Sequence, residues 1–261
     1  MSHAQKRRSV VRSLLAGGAV LSTWGAGGRS SAAPGSAVCP ALPHETSGPF
    51  PADGSHSHGG GLRRQVPNIL SAPGIVRQDI RGSFDASSTL AAGVPLQVQL
   101  TLLDISRGCR PLADSAIYLW SCNRDGDYSL YGRGIEHENY LRGVQFTDGE
   151  GRVAFRTIFP ACYSGRYPHL HLEIFKPGAR SLDETTRVLT SQLTAPREVC
   201  SRVYEGAPGY TRSVAQFKGL SPGDDMVFAS SSPAELALQT MTTSGDLGSG
   251  FAGHATIGIR T

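Results

Sequence analysis

Arg142-Gly143-Val144-Gln145-Phe146-Thr147-Asp148-Gly149-Glu150-Gly151-Arg152-Val153-Ala154-Phe155-Arg156-Thr157 holds two alternating apolar and polar runs around an Asp-Gly-Glu-Gly centre. Alternation with period two sends successive side chains to opposite faces of a strand. Glycine supplies the positive φ that a tight turn needs, so the stretch predicts a β-hairpin. Working outward, similar short runs predict strands at 94–104, 116–121, 169–175, 187–193, 226–229, 236–241 and 255–259. Helical periodicity of useful length is absent from this reading. With 32 Gly and 16 Pro in 261 residues, turns are frequent, and many short strands between turns predict an all-β sandwich or barrel.

The length suits one medium domain or two small ones. Hydrophobic residues make up 39% and charged residues 18% of the chain, and the low net charge with nine Phe, eight Tyr and two Trp argues against wholesale disorder. The formal charge of +4 invites a nucleic-acid reading. Lys6, Arg7, Arg8, Arg12 and Arg29, however, all fall within 1–33, where there is no Asp or Glu. Subtracting these five from 25 basic residues leaves 20 against 21 acidic ones, so the body of the chain offers no phosphate-tracking surface.

The same basic residues precede a weakly apolar stretch, Leu14 to Leu21, and a run of small residues ending at Ala33. That is the layout of an export signal over 1–33. Arg7-Arg8 followed by Ser9-Val10-Val11 resembles a twin-arginine signal, so the expected location is secreted or periplasmic. No stretch supplies the ~20 apolar residues of a membrane span. Residues 34–83 read as an extended leader, rich at first in Pro, Gly, Ser and His, and 84–261 as the β-sandwich domain. His56 and His58 sit in a Gly/Ser loop, where solvated histidines outnumber ligands. The His58-Gly59-Gly60-Gly61 run lacks any accompanying G-x-S-x-G elbow, which removes serine hydrolase chemistry. Five cysteines at 39, 109, 122, 162 and 200 include no CxxC pair. One or two disulfides suit an oxidising compartment, with at least one thiol left over and the pairing open.

Metal-capable side chains concentrate in two places. One is Asp127-Tyr128-Ser129; the other is Ala161-Cys162-Tyr163-Ser164-Gly165-Arg166-Tyr167-Pro168-His169-Leu170-His171. In a strand, His169 and His171 face the same way, and two turns can carry Tyr128 and Tyr163 over them. Two neutral nitrogens and two phenolates form a hard, anionic set suited to ferric iron (Fe3+) and unsuited to Mg²⁺ or Ca²⁺. A phenol is protonated at neutral pH, but a trivalent cation favours the phenolate. Any one of these four side chains alone is more often a core residue than a ligand. Tyr131 and Tyr167 read as cavity wall, Asp127 and Glu173 as solvent-facing or supporting residues, and Trp120 as core.

These residues, in this order, resemble the intradiol ring-cleavage dioxygenases. The resemblance covers 109–176 and rests on Cys109-Arg110-Pro111-Leu112, Tyr118-Leu119-Trp120-Ser121-Cys122, Gly126-Asp127-Tyr128-Ser129, Asn139-Tyr140-Leu141-Arg142-Gly143, Thr147-Asp148-Gly149-Glu150-Gly151, Phe155-Arg156-Thr157-Ile158-Phe159-Pro160 and the Tyr163–His171 run. It continues weakly through Leu189-Thr190-Ser191-Gln192-Leu193, and Thr46-Ser47-Gly48-Pro49-Phe50 is similar to the family's T-E-G-P-F/Y segment. It implies the family's β-sandwich with a long irregular N-terminal leader and a ferric ion held by Tyr128, Tyr163, His169 and His171. Tyr163 and His171 would be axial, and Arg166 and Gln192 would be active-site residues. The implied reaction opens a catechol-type aromatic diol between its hydroxyls with O2, giving a cis,cis-muconate-type diacid. Tyr163 would take up a substrate proton and Arg166 would stabilise negative charge on the ring-derived oxygens.

The short Tyr163–His169 spacing matches exported members of the family and implies an open cavity, so substrate choice is not carried over. Pro160-Ala161 and His169-Leu170-His171 stand where the family has Pro-Gly and H-I-H. The helical dimerisation region of the cytosolic catechol enzymes has no counterpart, and the oligomeric state stays open. Two rival readings are a secreted β-sandwich module that binds a ligand without turnover, and a copper or zinc hydrolase-like site.

Overall fold

A computed structural model of the chain describes residues 39–55 and 67–261. The expected signal at 1–33 and the His56–Gly61 run lie outside the described residues. Among the described residues nine strands form two sheets: β1 (Pro95–Asp104), β2 (Arg110–Pro111), β3 (Ala116–Trp120), β4 (Arg142–Phe146), β5 (Arg152–Ile158), β6 (Leu170–Phe175), β7 (Arg187–Leu193), β8 (Thr242–Asp246) and β9 (Gly250–Ile259). One sheet runs β4-β3-β6-β7, antiparallel throughout. The other runs β2-β1-β9-β8, with β5 also paired to β1 and β9 parallel to it.

Sequence period explains the layering. β5 alternates exposed and buried positions, so Val153 and Phe155 face inward. β3 and β6 are buried on both faces. Ile117, Leu119, Leu172 and Ile174 pack against Val98, Leu100, Leu102, Phe155 and Ile257 between the sheets. Tyr118, Trp120 and Phe175 point the other way, into a second core with Ala52, Ile69, Leu70 and Ile75. The outer face of the four-stranded sheet is therefore roofed by the leader, and this roofed face carries the site.

Three sequence expectations are corrected. The two halves of the Arg142–Thr157 stretch are strands, yet they do not pair with each other. β4 joins β3, and β5 joins β1 in the opposite sheet. The turn itself forms, with Asp148 N–H donating to the Arg152 carbonyl and Gly151 N–H to that of Asp148. Residues 75–80 then take the edge positions a hairpin partner would fill, Ile75 and Arg77 bonding to Val144, and Gln78 and Ile80 to Arg156. Residues 236–241 are not a strand: α3 (Pro233–Gln239) starts with a Ser232/Glu235 capping box and proline in its first turn. Residues 226–229 form a turn running into a 3₁₀ segment, Phe228–Ser230. Two further helices, α1 (Arg197–Gly206) and α2 (Thr211–Phe217), were not anticipated.

Cys39 and Cys109 form a disulfide with Cα atoms 5.8 Å apart, tying the leader to the β1–β2 turn. Cys122, Cys162 and Cys200 are buried thiols. Among the described residues no helix is long and apolar enough to cross a membrane.

Candidate metal centre and its surroundings

His171 sits in β6 with Trp120 of β3 opposite on one side and Gln192 of β7 on the other. One row across three strands thus presents an indole, an imidazole and an amide to the roofed face. His169 precedes β6 and keeps the same facing. Tyr128 follows a turn in which Asn123 Oδ1 accepts the Asp125 and Asp127 N–H groups. Gly126 in that turn has φ +91°, and a Cβ there would lie 3.1 Å from the Tyr163 Cβ. The turn can approach the Tyr163 loop so closely because this position is glycine.

The four side chains converge. Tyr128 Oη is 3.1 Å from Tyr163 Oη, 3.3 Å from His169 Nε2 and 3.0 Å from His171 Nε2. His169 Nε2 is 3.3 Å from Tyr163 Oη and 3.0 Å from His171 Nε2. Tyr128, His169 and His171 are buried, and Tyr163 is half-buried. Donors held ~2 Å from one ion lie about 3 Å from each other, which is the spacing here. Tyr163–His171 is the one pair without a hydrogen-bonding contact.

Protonation points the same way. His169 Nδ1 lies 2.6 Å from the Tyr167 carbonyl, which only accepts, so the Nδ1 proton is fixed and Nε2 turns a lone pair inward. Burial, reinforced by the Arg166 charge, lowers the His169 pKa; burial, then the neighbouring His169 and Arg166, lowers that of His171. Both rings are neutral, as a metal ligand must be. Burial raises the pKa of both phenols, for Tyr128 with a further push from Tyr163. Two phenols and two neutral imidazoles packed this tightly aim four lone-pair donors at one point, where a cation would favour loss of the phenol protons, and hard oxygen with imidazole nitrogen suits iron.

Residues 76–188, which include all four side chains, match the family model Dioxygenase_C, described as dioxygenase. Over this stretch the chain is similar to the intradiol ring-cleavage dioxygenases. Over 97 residues it is 30% identical to catechol 1,2-dioxygenase 2 of Acinetobacter lwoffii, covering 30% of this chain and 34% of that protein. It therefore spans about a third of the length of this curated relative. An intradiol ring-cleavage dioxygenase from Tetranychus urticae has a similar fold, with TM-score 0.60 and 22% identity over 85% of this chain and 95% of that one. So does the dioxygenase domain of a dioxygenase carbohydrate-binding protein fusion from Streptomyces sp. SirexAA-E, with TM-score 0.52 and 23% identity over 85% and 99% of the two chains.

The other two expected residues, Arg166 and Gln192, pair with each other, and Gln192 lies opposite His171 in β7. The Arg166 guanidinium is buried; its NH2 donates to Gln192 Oε1 at 2.6 Å, and Gln192 Nε2 donates to the Thr46 carbonyl at 3.0 Å. The leader closes the outer side. Phe50 packs on Tyr128 and Tyr131 with ring centroids 5.0 and 5.1 Å away. Buried Arg142 donates to the carbonyls of Phe50, Pro51 and Ser129. Tyr131 packs against Phe50 and its hydroxyl accepts the Ala52 N–H, whereas Tyr167 packs its ring into the core against Phe217 and Phe228 and contributes its backbone carbonyl to His169. Asp127 is exposed. Glu173 is fully buried rather than solvent-facing, and its Oε1 accepts a hydrogen bond from Arg187, which also donates to Asp53. Burial and the Asp53 charge raise the Glu173 pKa to about 8.

Sequence reading passed over two contributors. Trp120, assigned simply to the core, stacks on His171. Asp225 accepts the Arg166 Nε–H at 3.0 Å and the Tyr167 N–H at 2.6 Å. It lies 59 residues from Arg166, beyond every motif of the resemblance, and carried no signal.

Proposed function

We propose that this chain is a ferric-iron intradiol dioxygenase that cleaves a catechol-type diol with O2 to a cis,cis-muconate-type diacid. The observation that carries the reading is the meeting of Tyr128 Oη, Tyr163 Oη, His169 Nε2 and His171 Nε2 at one point, with the His169 tautomer set by Tyr167. These four residues would hold the iron, which when bound supplies a Lewis acid and a template for both oxygens of the diol.

The protein's own groups then have separate tasks. Tyr163, the half-buried member of the set, is placed to take a proton from the incoming diol at its Oη. Arg166, fixed by Gln192, aims positive charge at the developing oxygen anion in a site where few waters compete. Phe50 and Tyr131 give the ring an apolar wall, and the leader carrying Phe50 keeps bulk water off the buried ligands. A binding module without turnover has no need of a fixed imidazole lone pair or an arginine beside two phenols, and zinc or copper sites rarely use two tyrosines. Arg7-Arg8 and the small-residue run ending at Ala33 support export by the twin-arginine route as part of the same proposal.

The test is oxygen uptake by the purified protein with a panel of substituted catechols, products being identified by mass. One O2 consumed per diol, with both oxygen atoms in a diacid, is the expected result. Iron-loaded protein that binds catechols and consumes no oxygen would return the reading to the binding module.

A further inference from the structure

Arg166 is buried in the loop between Tyr163 and His169, and among the described residues its loop neighbours Ser164, Gly165, Tyr163 and Tyr167 offer the guanidinium no side-chain hydrogen bond. The anchor comes from the far end of the chain. Residues 222–230 turn through two short 3₁₀ segments, and between them Asp225 is fully buried. Its Oδ1 accepts the N–H groups of Val227 at 2.8 Å and Phe228 at 3.2 Å, which fixes the carboxylate plane within its own turn. That leaves Oδ2 to reach across to Arg166 Nε and the Tyr167 N–H. With Gln192 on its NH2, the guanidinium is held at two nitrogens by residues from two different parts of the fold. The Tyr167 peptide meanwhile hands its carbonyl to His169 Nδ1.

We propose that Asp225 is the positioning residue for Arg166, setting the guanidinium angle toward the substrate oxygens. The proposal rests on the dioxygenase reading for what Arg166 does there, and on geometry alone for what Asp225 does to Arg166. A charge-assisted bond to one edge of a planar fork fixes direction as well as distance. A buried carboxylate with all its donors in place is also rigid, since moving it would strand a charge. A carboxylate serving only its own turn would act on stability and leave the arginine's work untouched.

The experiment is a double-mutant cycle of Asp225→Asn and Arg166→Ala in the iron-loaded enzyme. Readouts are kcat, the dissociation constant of 4-nitrocatechol measured anaerobically from its spectrum, iron content and thermal unfolding. Asp225→Asn is expected to lower kcat about 10²-fold, the scale of losing one charge-stabilising donor, with iron content unchanged. In the Arg166→Ala background the same substitution should change kcat less than about 3-fold, because its partner is already gone. Losses in kcat that multiply in the double variant would overturn the proposal, as would an unaltered kcat in Asp225→Asn. If Asp225→Asn does not fold, Asp225→Glu, which keeps the charge and displaces it, takes its place in the cycle. Should wild type consume no oxygen, the dioxygenase reading fails separately. A crystal structure of the Asp225 variant then decides, and a guanidinium unmoved from its wild-type position overturns the positioning role.

Discussion

The Trp120 indole lies flat against the His171 imidazole, with ring centroids 4.8 Å apart and planes 5° apart, and Tyr118 stacks on its far face at 4.7 Å. The stack does for His171 what a hydrogen bond does for His169. Among the described residues His171 Nδ1 has no partner, whereas His169 Nδ1 is held by the Tyr167 carbonyl. Trp120 Nε1 is also unpartnered among the described residues, so the indole acts on His171 by stacking. Trp120→Leu is expected to destabilise the fold by ~3 kcal/mol and to lower iron content, because the stacked indole braces one face of the His171 ring. Trp120→Phe, with no hydrogen bond to lose, should lose less of both. Thermal unfolding and metal analysis on the two variants check this.

The four donors and Arg166 should separate cleanly on substitution. Tyr128→Phe or His169→Ala is expected to remove the iron or the red tyrosinate-to-iron band. Arg166→Ala should keep the metal and the band and slow turnover by about 10²-fold. Colourless protein with a full complement of iron would contradict the ligand assignment, and loss of iron in Arg166→Ala would make that arginine structural.

Gly48 lies in the leader where it crosses His171. Its φ is +65°, and a Cβ there would sit 3.3 Å from His171 Cε1. Gly48→Ala combines the left-handed backbone penalty of about 1 kcal/mol with pressure on the imidazole. The expected outcome is a modest drop in melting temperature and a larger drop in iron affinity, read by competition with a chelator. A variant with wild-type iron affinity would show that the leader yields without moving the ring.

Glu138 gives the fold a dependence on acid. Its carboxylate accepts hydrogen bonds from Ser83 Oγ at 2.5 Å, Ser87 Oγ at 2.8 Å and Thr89 Oγ1 at 2.8 Å. Burial pushes its pKa up, but the three hydroxyls outweigh this and hold it below the ordinary 4.5. A carboxyl that is more acidic folded than unfolded stabilises the protein above its unfolded pKa, and the benefit is lost as pH falls through the folded value. Wild type should therefore exceed Glu138→Gln in stability at pH 7, and the two melting temperatures should converge below about pH 4. Parallel curves would place the stabilisation elsewhere.

Much of the site was readable along the chain because its chemistry is local. His169 and His171 share a face by strand period, and Tyr163, Arg166 and the two histidines fall within nine residues. The α3 helix was readable too, from Ser232, Pro233 and Glu235, though the apolar residues 236–241 pulled the interpretation toward a strand. The α1 helix carried its signal in Val199, Cys200, Val203 and Tyr204, the residues it buries.

What the chain order could not convey is which strand lies beside which. The alternation in 142–157 correctly marks two strands and a turn, but pairing depends on which edges the rest of the chain covers, and residues 75–80 occupy those edges. By itself the sequence determined the kind of strands, the donor types and the order of the motifs, since all of these follow from side-chain chemistry and a period of two. Only the tertiary structure decided that four donors share one point, that Trp120 holds His171, and that Asp225 holds Arg166. Contacts between residues tens of positions apart are set by how the sheets and the leader pack.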